Sequence, residues 1–416
     1  MRSRAALGGG SLLLLAAVLG VSGNLRGPIA AIGPVIDQIT AELALSPAAV
    51  GLLTGLPVLC FALAAPLASW AIGRVGVGLA VAGALTLLVA GTLVRSSAGF
   101  PAAVVGTLLI GAAITTGNIA IPVVTRRDFP LLIAGVTGAS TAAMNLGAMT
   151  TTAFTAPIAH HHGWRWATGV WAVAALAALV LWVVAGLVRR SRRRGGAARP
   201  GTVAGVPGGP GAPSSDSISV PGTRTLPHVL RRSFVWALAL VFAVQSFGYY
   251  GMTAWLPQVL SDVLGLDATR AGGAAAPFQA AAILSALTVP VFLARRVPPR
   301  VVFLVLVGLW LALPLGMLLA PAGWPVWVSS AGLAQGGLYT VVISVVLHRA
   351  ANVADARRSS AAVQSIGYVL AATGPSVLGQ LHGASGTWTV PMLTLVVAFV
   401  VAAASGAFAM RPVGSR

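Results

Sequence analysis

The sequence predicts an all-α membrane protein with twelve transmembrane helices in two six-helix repeats, and three observations support this fold class. Hydrophobic residues occupy 57% of the 416 positions and charged residues only 8%, whereas a soluble chain needs about 25% charged residues to cover its surface. The apolar residues form continuous runs without period-2 alternation, which favours helices over a transmembrane β-barrel. A weak internal repeat divides these runs into two equal sets.

Runs of about 20 to 28 mostly apolar residues predict the spans, which we number 1 to 12 in chain order. The first run follows Met1–Arg4 and could pass for a secretory signal, but eleven further runs come after it, so we interpret it as a retained helix. The predicted spans cover residues 8–35, 47–72, 77–95, 100–124, 131–158, 165–188, 234–257, 271–294, 301–320, 324–347, 359–382 and 388–410.

All 26 basic residues are arginines, and their positions predict the topology. When successive loops are assigned to alternate sides, 22 arginines fall on the side that holds both termini, three fall on the other side, and Arg26 lies within span 1. Loops rich in basic residues face the cytoplasm. We therefore expect cytoplasmic N and C termini in a multi-pass protein of the cell membrane, and we expect no binding of nucleic acid despite the net charge of +19.

The composition changes sharply between spans 6 and 7, where residues 189–232 are rich in Arg, Gly, Pro and Ser. This segment has too few apolar residues to fold alone, so it predicts a disordered basic cytoplasmic linker. It separates an N-terminal half at 1–188 from a C-terminal half at 233–416. The linker arginines fit a loop that fixes topology, and docking to anionic membrane lipids is the alternative.

The two halves show a weak repeat at a nearly constant offset. Each matching pair alone is at chance level, but the pairs fall on five different helix pairs and predict parallel repeats related by an axis along the membrane normal, with a substrate site between them. Asn24 and Gln245, Gly51 and Gly272, Arg74 and Arg295, and Gly111 and Gly332 are 221 positions apart, and Gly147 and Gly367 are 220 apart.

Seven amide side chains lie in the interiors of the predicted spans, away from the span ends, and indicate which spans line a cavity. An amide in hydrocarbon costs free energy unless it faces a partner or water. Spans 3, 6, 9 and 12 carry no such amide, as expected for four peripheral helices that face lipid. For any single amide, the alternative role is a hydrogen bond between two helices. The seven candidates are Asn24, Asn118, Asn145, Gln245, Gln279, Gln335 and Gln364.

Four tyrosines on inner spans add hydroxyl groups and flat apolar faces for a small ligand, with packing as the alternative role. They are Tyr249 and Tyr250 on span 7, Tyr339 on span 10 and Tyr368 on span 11.

Arg26 is the one arginine predicted in the interior of a span, since Arg95 and Arg165 stand at span ends. It lies about five residues beyond the centre of span 1, roughly 7 Å from the midplane at 1.5 Å per residue, and helix geometry tilts its side chain toward the membrane centre. It therefore needs a partner there. The candidates are a negatively charged substrate and the backbone carbonyls freed where Gly23, Gly27 and Pro28 weaken the helix.

The spans lack the residue patterns that a carboxylate proton relay, a disulfide, a metal site or an enzyme active site would need. The seven carboxylates fall in loops or at span ends, so a proton relay through mid-membrane acids is not expected. The single cysteine, Cys60, leaves no partner for an intrachain disulfide, and the consecutive His160, His161 and His162 point in divergent directions. Because hydrolase, metalloprotease and phosphate-loop motifs are also lacking, we expect no enzymatic activity, cofactor or metal.

Several strings resemble the cyanate and nitroimidazole permease family of the major facilitator superfamily, over nearly the whole chain. They are NLR at 24–26, RRDFP at 126–130, NLG at 145–147, QGG at 335–337 and QSIGYVLAATGP at 364–375. Gly27 departs from the pattern, because proline is expected after the arginine. The resemblance implies a secondary transporter of small molecules.

We therefore expect a monomeric secondary transporter that moves a small anionic or strongly polar solute, such as cyanate or a small organic anion, by alternating access. An exporter of a planar nitroheterocycle or drug is the alternative that the aromatic residues of span 7 favour. A membrane receptor without transport activity is a third hypothesis. The expected partners are the solute and membrane lipids.

Overall fold

The computed structural model describes residues 9–97, 99–196, 231–350 and 353–411, and most of them are helical. A 3-10 turn, Gly33–Val35, and a short helix, Ile36–Leu43, follow span 1. The helices of the spans are Gly9–Gly23 and Gly27–Ala30 in span 1, Pro47–Leu63 and Ala65–Val75 in span 2, Val77–Arg95, Gly99–Asp128, Ile133–Gly169, Trp171–Gly196, Ser233–Leu264, Ala268–Ala294, Pro299–Leu319 and Trp324–Arg349 in spans 3 to 10, Val353–Ala371 and Gly374–Ser385 in span 11, and Thr389–Ala409 in span 12.

The helix count agrees with twelve spans. Within the described residues, ten helical segments are long and apolar enough to cross a membrane, and the bent pair of span 2 makes eleven. One segment, Gly135–Ser191, has 57 residues and would be about 85 Å long if straight, nearly three times the ~30 Å hydrocarbon layer. Gly163 interrupts it at a φ of 78°, which favours glycine. The segment therefore contains spans 5 and 6, and the predicted fold is confirmed.

Span 6 is longer than predicted. Its helix continues to Gly196, into the segment that the composition assigns to the linker. Arg189 stabilises this extension because its Nη2 donates to Asp128 Oδ1 of span 4 at 2.6 Å. The remaining part of the predicted linker, residues 197–230, lies outside the described residues.

Glycines of the internal repeat make equivalent contacts in the two halves. A Cβ atom added to Gly51 on span 2 would lie 2.3 Å from Ser376 Cα on span 11, and one added to Gly272 on span 8 would lie 2.9 Å from the Thr152 carbonyl oxygen on span 5. Span 2 corresponds to span 8, and span 11 corresponds to span 5. The same contact therefore forms twice between the halves, as expected for two parallel repeats.

A second glycine pair makes equivalent contacts within each half. Gly147 on span 5 lies against Gly23 on span 1, and Gly367 on span 11 lies against Phe242 on span 7. Spans 1 and 7 correspond in the repeat, as do spans 5 and 11. The weak sequence repeat thus marks positions where helices approach too closely for a larger side chain.

The halves meet along spans 5 and 8 and, at the other inner spans, mainly on one side of the bundle. We call the side that holds the two ends of the described chain the terminal side, and the other side the opposite side. Toward the opposite side, Gly33 lies against the carbonyl oxygens of Thr253 and Ala254 on span 7, and Gly55 on span 2 lies against the Ala372 carbonyl oxygen on span 11. These backbone contacts seal the halves together on the opposite side.

On the terminal side, contacts of the described residues run mainly within each half. The second helix of span 2, Ala65–Val75, packs on spans 3 and 4. The ion pair between Arg189 and Asp128 joins spans 6 and 4, and that between Arg232 and Asp355 joins the beginnings of spans 7 and 11. The space between the halves is therefore closed at the opposite side and less restricted toward the terminal side.

Candidate substrate site

A break in span 1 places Arg26 between the halves. The first helix ends at Gly23, and the next begins at Gly27 with Arg26 as its non-helical N-cap at φ −126° and ψ −28°. Pro28 fits this new first turn because the turn needs no N–H there. The break interrupts the helix where the sequence predicted that Gly23, Gly27 and Pro28 would weaken it.

Close packing on span 5 holds the break in position. A Cβ atom added to Gly147 would lie only 1.9 Å from the Gly23 carbonyl oxygen, and one added to Gly27 would lie 3.1 Å from Thr151 Cγ2. The backbones of spans 1 and 5 thus touch directly around the break. This contact sets the position of Arg26 relative to the side chains of span 5.

Arg95 holds the segment after the break from the end of span 3. The topology prediction placed Arg95 on the opposite side at the end of span 3, and the structure buries it there, with only 2% of the residue exposed. Its Nη1 donates to the Pro28 carbonyl oxygen at 2.6 Å. That oxygen is available because the Ile32 N–H bonds to the Ile29 carbonyl oxygen instead. Nε and Nη2 of Arg95 have no hydrogen-bond partner among the described residues.

Arg26 contacts both halves. Its Nη1 donates to Asn145 Oδ1 on span 5 at 2.7 Å, and its Cζ lies 5.0 Å from the ring centroid of Tyr249 on span 7. Asn145 is fully buried, and its own Nδ2 donates to the Thr141 carbonyl oxygen at 3.1 Å, which fixes the orientation of the amide. Among the described residues, no carboxylate forms an ion pair with Arg26.

The guanidinium of Arg26 retains donors for a ligand. Arginine carries five N–H donors, and the described residues accept one hydrogen bond from Arg26. The residue is partly exposed, so the remaining donors are not sealed in the protein. The freed backbone carbonyls that were one predicted partner are not used, and the pairing with Asn145 was not foreseen.

Aromatic rings continue from Arg26 across the interface. Tyr249 contacts Tyr250 with ring centroids 4.8 Å apart, and Tyr250 contacts Phe61 at 6.1 Å. Phe61 belongs to span 2 and also contacts Tyr368 of span 11 at 5.5 Å. Three of the four predicted tyrosines therefore form one aromatic wall with Phe61.

The fourth tyrosine joins this wall through span 7. Phe242 contacts Tyr368 with ring centroids 5.1 Å apart and Tyr339 at 6.0 Å. Tyr339 is 44% exposed in the middle of span 10 although it touches an interior ring, so it borders open space. Sequence reasoning missed Phe61 and Phe242, because a phenylalanine in an apolar span gives no signal of its own.

The amides of the N-terminal half differ in their surroundings. The Asn24 amide donates to the carbonyl oxygens of Gly20 at 2.9 Å and Ala174 at 3.4 Å, so it faces span 6 rather than the interface between the halves. Asn118 is exposed, and Gly117 beside it contacts Leu25 of span 1. Asn145 and Asn118 thus remain candidates near Arg26, whereas the contacts of Asn24 are those of a bond between helices.

The amides of the C-terminal half are mostly buried. Gln279 is 2% exposed and donates to Thr253 Oγ1 at 3.4 Å, while its Oε1 has no hydrogen-bond partner among the described residues. Gln335 is 3% exposed and its Nε2 likewise has no partner there. Gln245 accepts from Ser246 Oγ at 3.3 Å, and Gln364 is half-buried. An unpaired buried amide atom costs free energy until a ligand, water or conformational change supplies a partner.

A small cavity borders the Gln279 side chain between spans 5, 7 and 8. Its lining includes Thr152, Met252, Thr253 and Phe278. The lining is partly polar and lies beyond Arg26 toward the opposite side. Together, these groups offer one cation, several amides and a flat aromatic wall to a ligand.

Comparisons with known proteins agree with this architecture. The chain is 29% identical to the 2-nitroimidazole transporter of Escherichia coli (strain K12) over 408 residues, with 96% of each chain covered. It is 26% identical to the cyanate transport protein CynX of the same organism over 381 residues, with 91% of each covered. The fold is similar to that of a bacterial homologue of the human lysosomal transporter Spinster, solved in an inward-facing and unoccupied conformation.

The TM-score for that structure is 0.70 at 17% identity, covering 97% of this chain and 98% of the other. A family model described as the Major Facilitator Superfamily matches residues 11–375. The predicted resemblance is thus confirmed by the family model and by the similar sequences. The chain is a multi-pass membrane protein that belongs to the Major Facilitator Superfamily of secondary transporters.

Proposed function

We propose that the protein moves a small anionic or strongly polar solute across the membrane by alternating access, and that Arg26 binds the negative part of the solute. One observation carries this proposal. The guanidinium lies between the halves without a carboxylate partner among the described residues, and it keeps unused donors. A cation within a membrane protein is costly unless an anion or several acceptors compensate it.

The surroundings of Arg26 favour a small, flat solute. The guanidinium carbon of Arg26 lies over the Tyr249 ring, and the aromatic wall extends from that ring. A carboxylate or a similar planar group accepts two parallel hydrogen bonds from arginine. Small organic carboxylates have this planar geometry, whereas a linear ion such as cyanate would accept hydrogen bonds from the guanidinium at its charged ends.

Export of a planar nitroheterocycle is the second candidate. The aromatic wall and the similarity to a 2-nitroimidazole transporter favour it. A nitro group presents two acceptor oxygens as a carboxylate does, but without a full negative charge. The third candidate, a receptor without transport activity, is distinguished by measuring flux of labelled solutes in proteoliposomes.

The proposed orientation places the terminal side in the cytoplasm. The arginine distribution supports this orientation, and the conformation described above would then face inward. We propose a monomer in which residues 189–232 connect two six-helix halves on the cytoplasmic side, where their arginines can contact anionic lipids.

Cysteine labelling tests this topology. In a Cys60→Ser background, His162→Cys at the end of span 5 and Gly205→Cys in the linker are expected to react with a membrane-impermeant maleimide from opposite sides of the membrane. Intact and permeabilised vesicles distinguish the two sides. Labelling of both positions from the same side would contradict the span assignment.

A further inference from the structure

The charge of Arg26 has no built-in counterion among the described residues. Its Nη1 donates to the neutral amide of Asn145, and its Cζ lies 5.0 Å from the centroid of the Tyr249 ring in the other half. The ion pairs of the described residues are formed by other arginines and by His382, at or near the ends of the spans. Compensation of this mid-membrane cation must therefore come from solvent or from a ligand.

Solvent has access to Arg26 from one side of the membrane. Arg26 keeps part of its surface exposed. On the opposite side, Gly33 and Gly55 lie directly against backbone carbonyl oxygens of the C-terminal half and close the space between the halves. Water can therefore reach the guanidinium from the terminal side in this conformation.

Alternating access removes this water. To change conformation, the protein must pass through a state in which both sides are closed around the central site. In that state an empty site leaves the guanidinium with one neutral acceptor and one aromatic ring. A buried cation without a counterion is strongly unfavourable, whereas a bound anion compensates it. The barrier is therefore higher for the empty protein than for the protein with an anion on Arg26.

Arg95 is also buried, but its surroundings do not change in this way. It is 2% exposed and donates to the Pro28 carbonyl oxygen of the same half. It stands in the last turn of the span 3 helix, where the negative end of the helix dipole favours a cation. Because these contacts lie within the N-terminal half, they move with it as a unit. Arg26 differs because it lies between the two halves.

We propose that the protein is an obligate exchanger of anions, which changes conformation readily with an anion on Arg26 and only rarely when empty. Each complete cycle then carries one anion in each direction. The gradient of one anion drives the movement of the other. This inference rests on the proposed function, specifically on anion binding at Arg26, and adds how transport is driven.

Asn145 offers a way to supply the missing counterion without a solute. Its Oδ1 already accepts from Arg26 Nη1 at 2.7 Å, and aspartate is nearly isosteric with asparagine. Asn145→Asp therefore places a carboxylate against the guanidinium. Arg26→Gln removes the cation instead. Both variants should lower the barrier for the empty protein, one by adding an anion and the other by removing the cation.

A buried cysteine on the opposite side reports opening of the empty protein. Val50 lies near the beginning of span 2, is 3% exposed and packs in the hydrophobic core of the C-terminal half. Val50→Cys, in a Cys60→Ser background, becomes accessible when the halves separate there. A polar maleimide labels this cysteine in nanodiscs with gluconate as the only added anion. The maleimide is raised until the labelling rate no longer depends on its concentration, so that the rate measures opening.

We expect Asn145→Asp and Arg26→Gln to label at least about tenfold faster than the Val50→Cys parent, since each factor of ten corresponds to about 1.4 kcal/mol of barrier. Asn145→Ala is the matched control, because it loses the hydrogen bond without gaining a charge, and it should label as slowly as the parent. Two compensated variants keep the test decisive if one of them does not fold. An unchanged rate in a folded Asn145→Asp or Arg26→Gln protein, or equal acceleration by Asn145→Ala, would overturn the proposal.

Benzoate, a small planar carboxylate, serves as the probe anion in the same assay. It should accelerate labelling of the parent but not of Asn145→Asp. In proteoliposomes, labelled benzoate should leave parent vesicles at least about tenfold faster into unlabelled benzoate than into gluconate, and equal release into both media would overturn exchange. Failure of benzoate to accelerate the parent, with both compensated variants fast, would instead count against anion binding at Arg26 and leave the charge barrier in place.

Discussion

Replacement of Arg26 by alanine is expected to lower solute transport in proteoliposomes by about a hundredfold or more. Hydrogen bonds to charged groups contribute about 1.5–3 kcal/mol each, so loss of two to an anionic solute costs at least ~3 kcal/mol, and each 1.4 kcal/mol is about tenfold in affinity. Arg26→Lys should also fail largely, because an ammonium lacks the two-pronged planar donor geometry.

Folding must be checked independently in the same variants, because Arg26 could serve to stabilise the break in span 1. Under our proposal, Arg26→Ala elutes as the parent protein does and keeps its thermal stability without ligand. A variant that misfolds instead would favour a structural role. Arg300→Ala, at an exposed position on the terminal side, is the control that should transport normally. Normal transport by well-folded Arg26→Ala would remove Arg26 from the site.

Replacement of Gly147 by alanine is expected to destabilise the protein by about 3 kcal/mol or more, the upper part of the range for overpacked contacts. The added Cβ would lie 1.9 Å from the Gly23 carbonyl oxygen, so spans 1 and 5 must separate. Because Asn145 lies one half-turn away on span 5, its hydrogen bond to Arg26 should weaken as well. Thermal unfolding and ligand binding measure the two effects.

Gly186→Ala is the matched control for this substitution. Gly186 lies in the helix of span 6, and a Cβ atom added there meets nothing within 4 Å. Alanine is the better helix former, so this variant should be as stable as the parent protein. Equal stability of Gly147→Ala and Gly186→Ala would contradict the close contact between spans 1 and 5.

Sequence patterns predicted the spans and the repeat well, because both depend on residue type alone. Long apolar runs can only be satisfied as helices in lipid, and the repeated glycines mark close approaches that tolerate no side chain. The continuation of span 6 to Gly196 was missed because arginine-rich composition suggested a linker. The ion pair of Arg189 with Asp128, on a different span, could not be read from local composition.

The candidate site was predicted less completely than the spans. The directions of its side chains depend on where the helix of span 1 breaks. Both Asn24 and Arg26 were placed at the substrate site from the sequence, although residues two positions apart on a helix do not share a face. Asn24 turns toward span 6, whereas Arg26 reaches Asn145. Arg95 is buried against the Pro28 carbonyl oxygen, which is free because the Ile32 N–H bonds to Ile29 instead, and that local departure from the helix pattern cannot be read from composition.

Thermal stabilisation by matched pairs of solutes tests the central claim, that Arg26 binds an anionic solute, most directly. Each pair contains a small planar carboxylate and its neutral amide, with cyanate and 2-nitroimidazole as additional probes. At one hundred times its dissociation constant, a bound ligand should add about 2.7 kcal/mol to the stability of the folded state. We predict that the anionic members stabilise the parent protein but not Arg26→Ala. Stabilisation by neutral members alone, or equal stabilisation of Arg26→Ala by the anions, would contradict the claim.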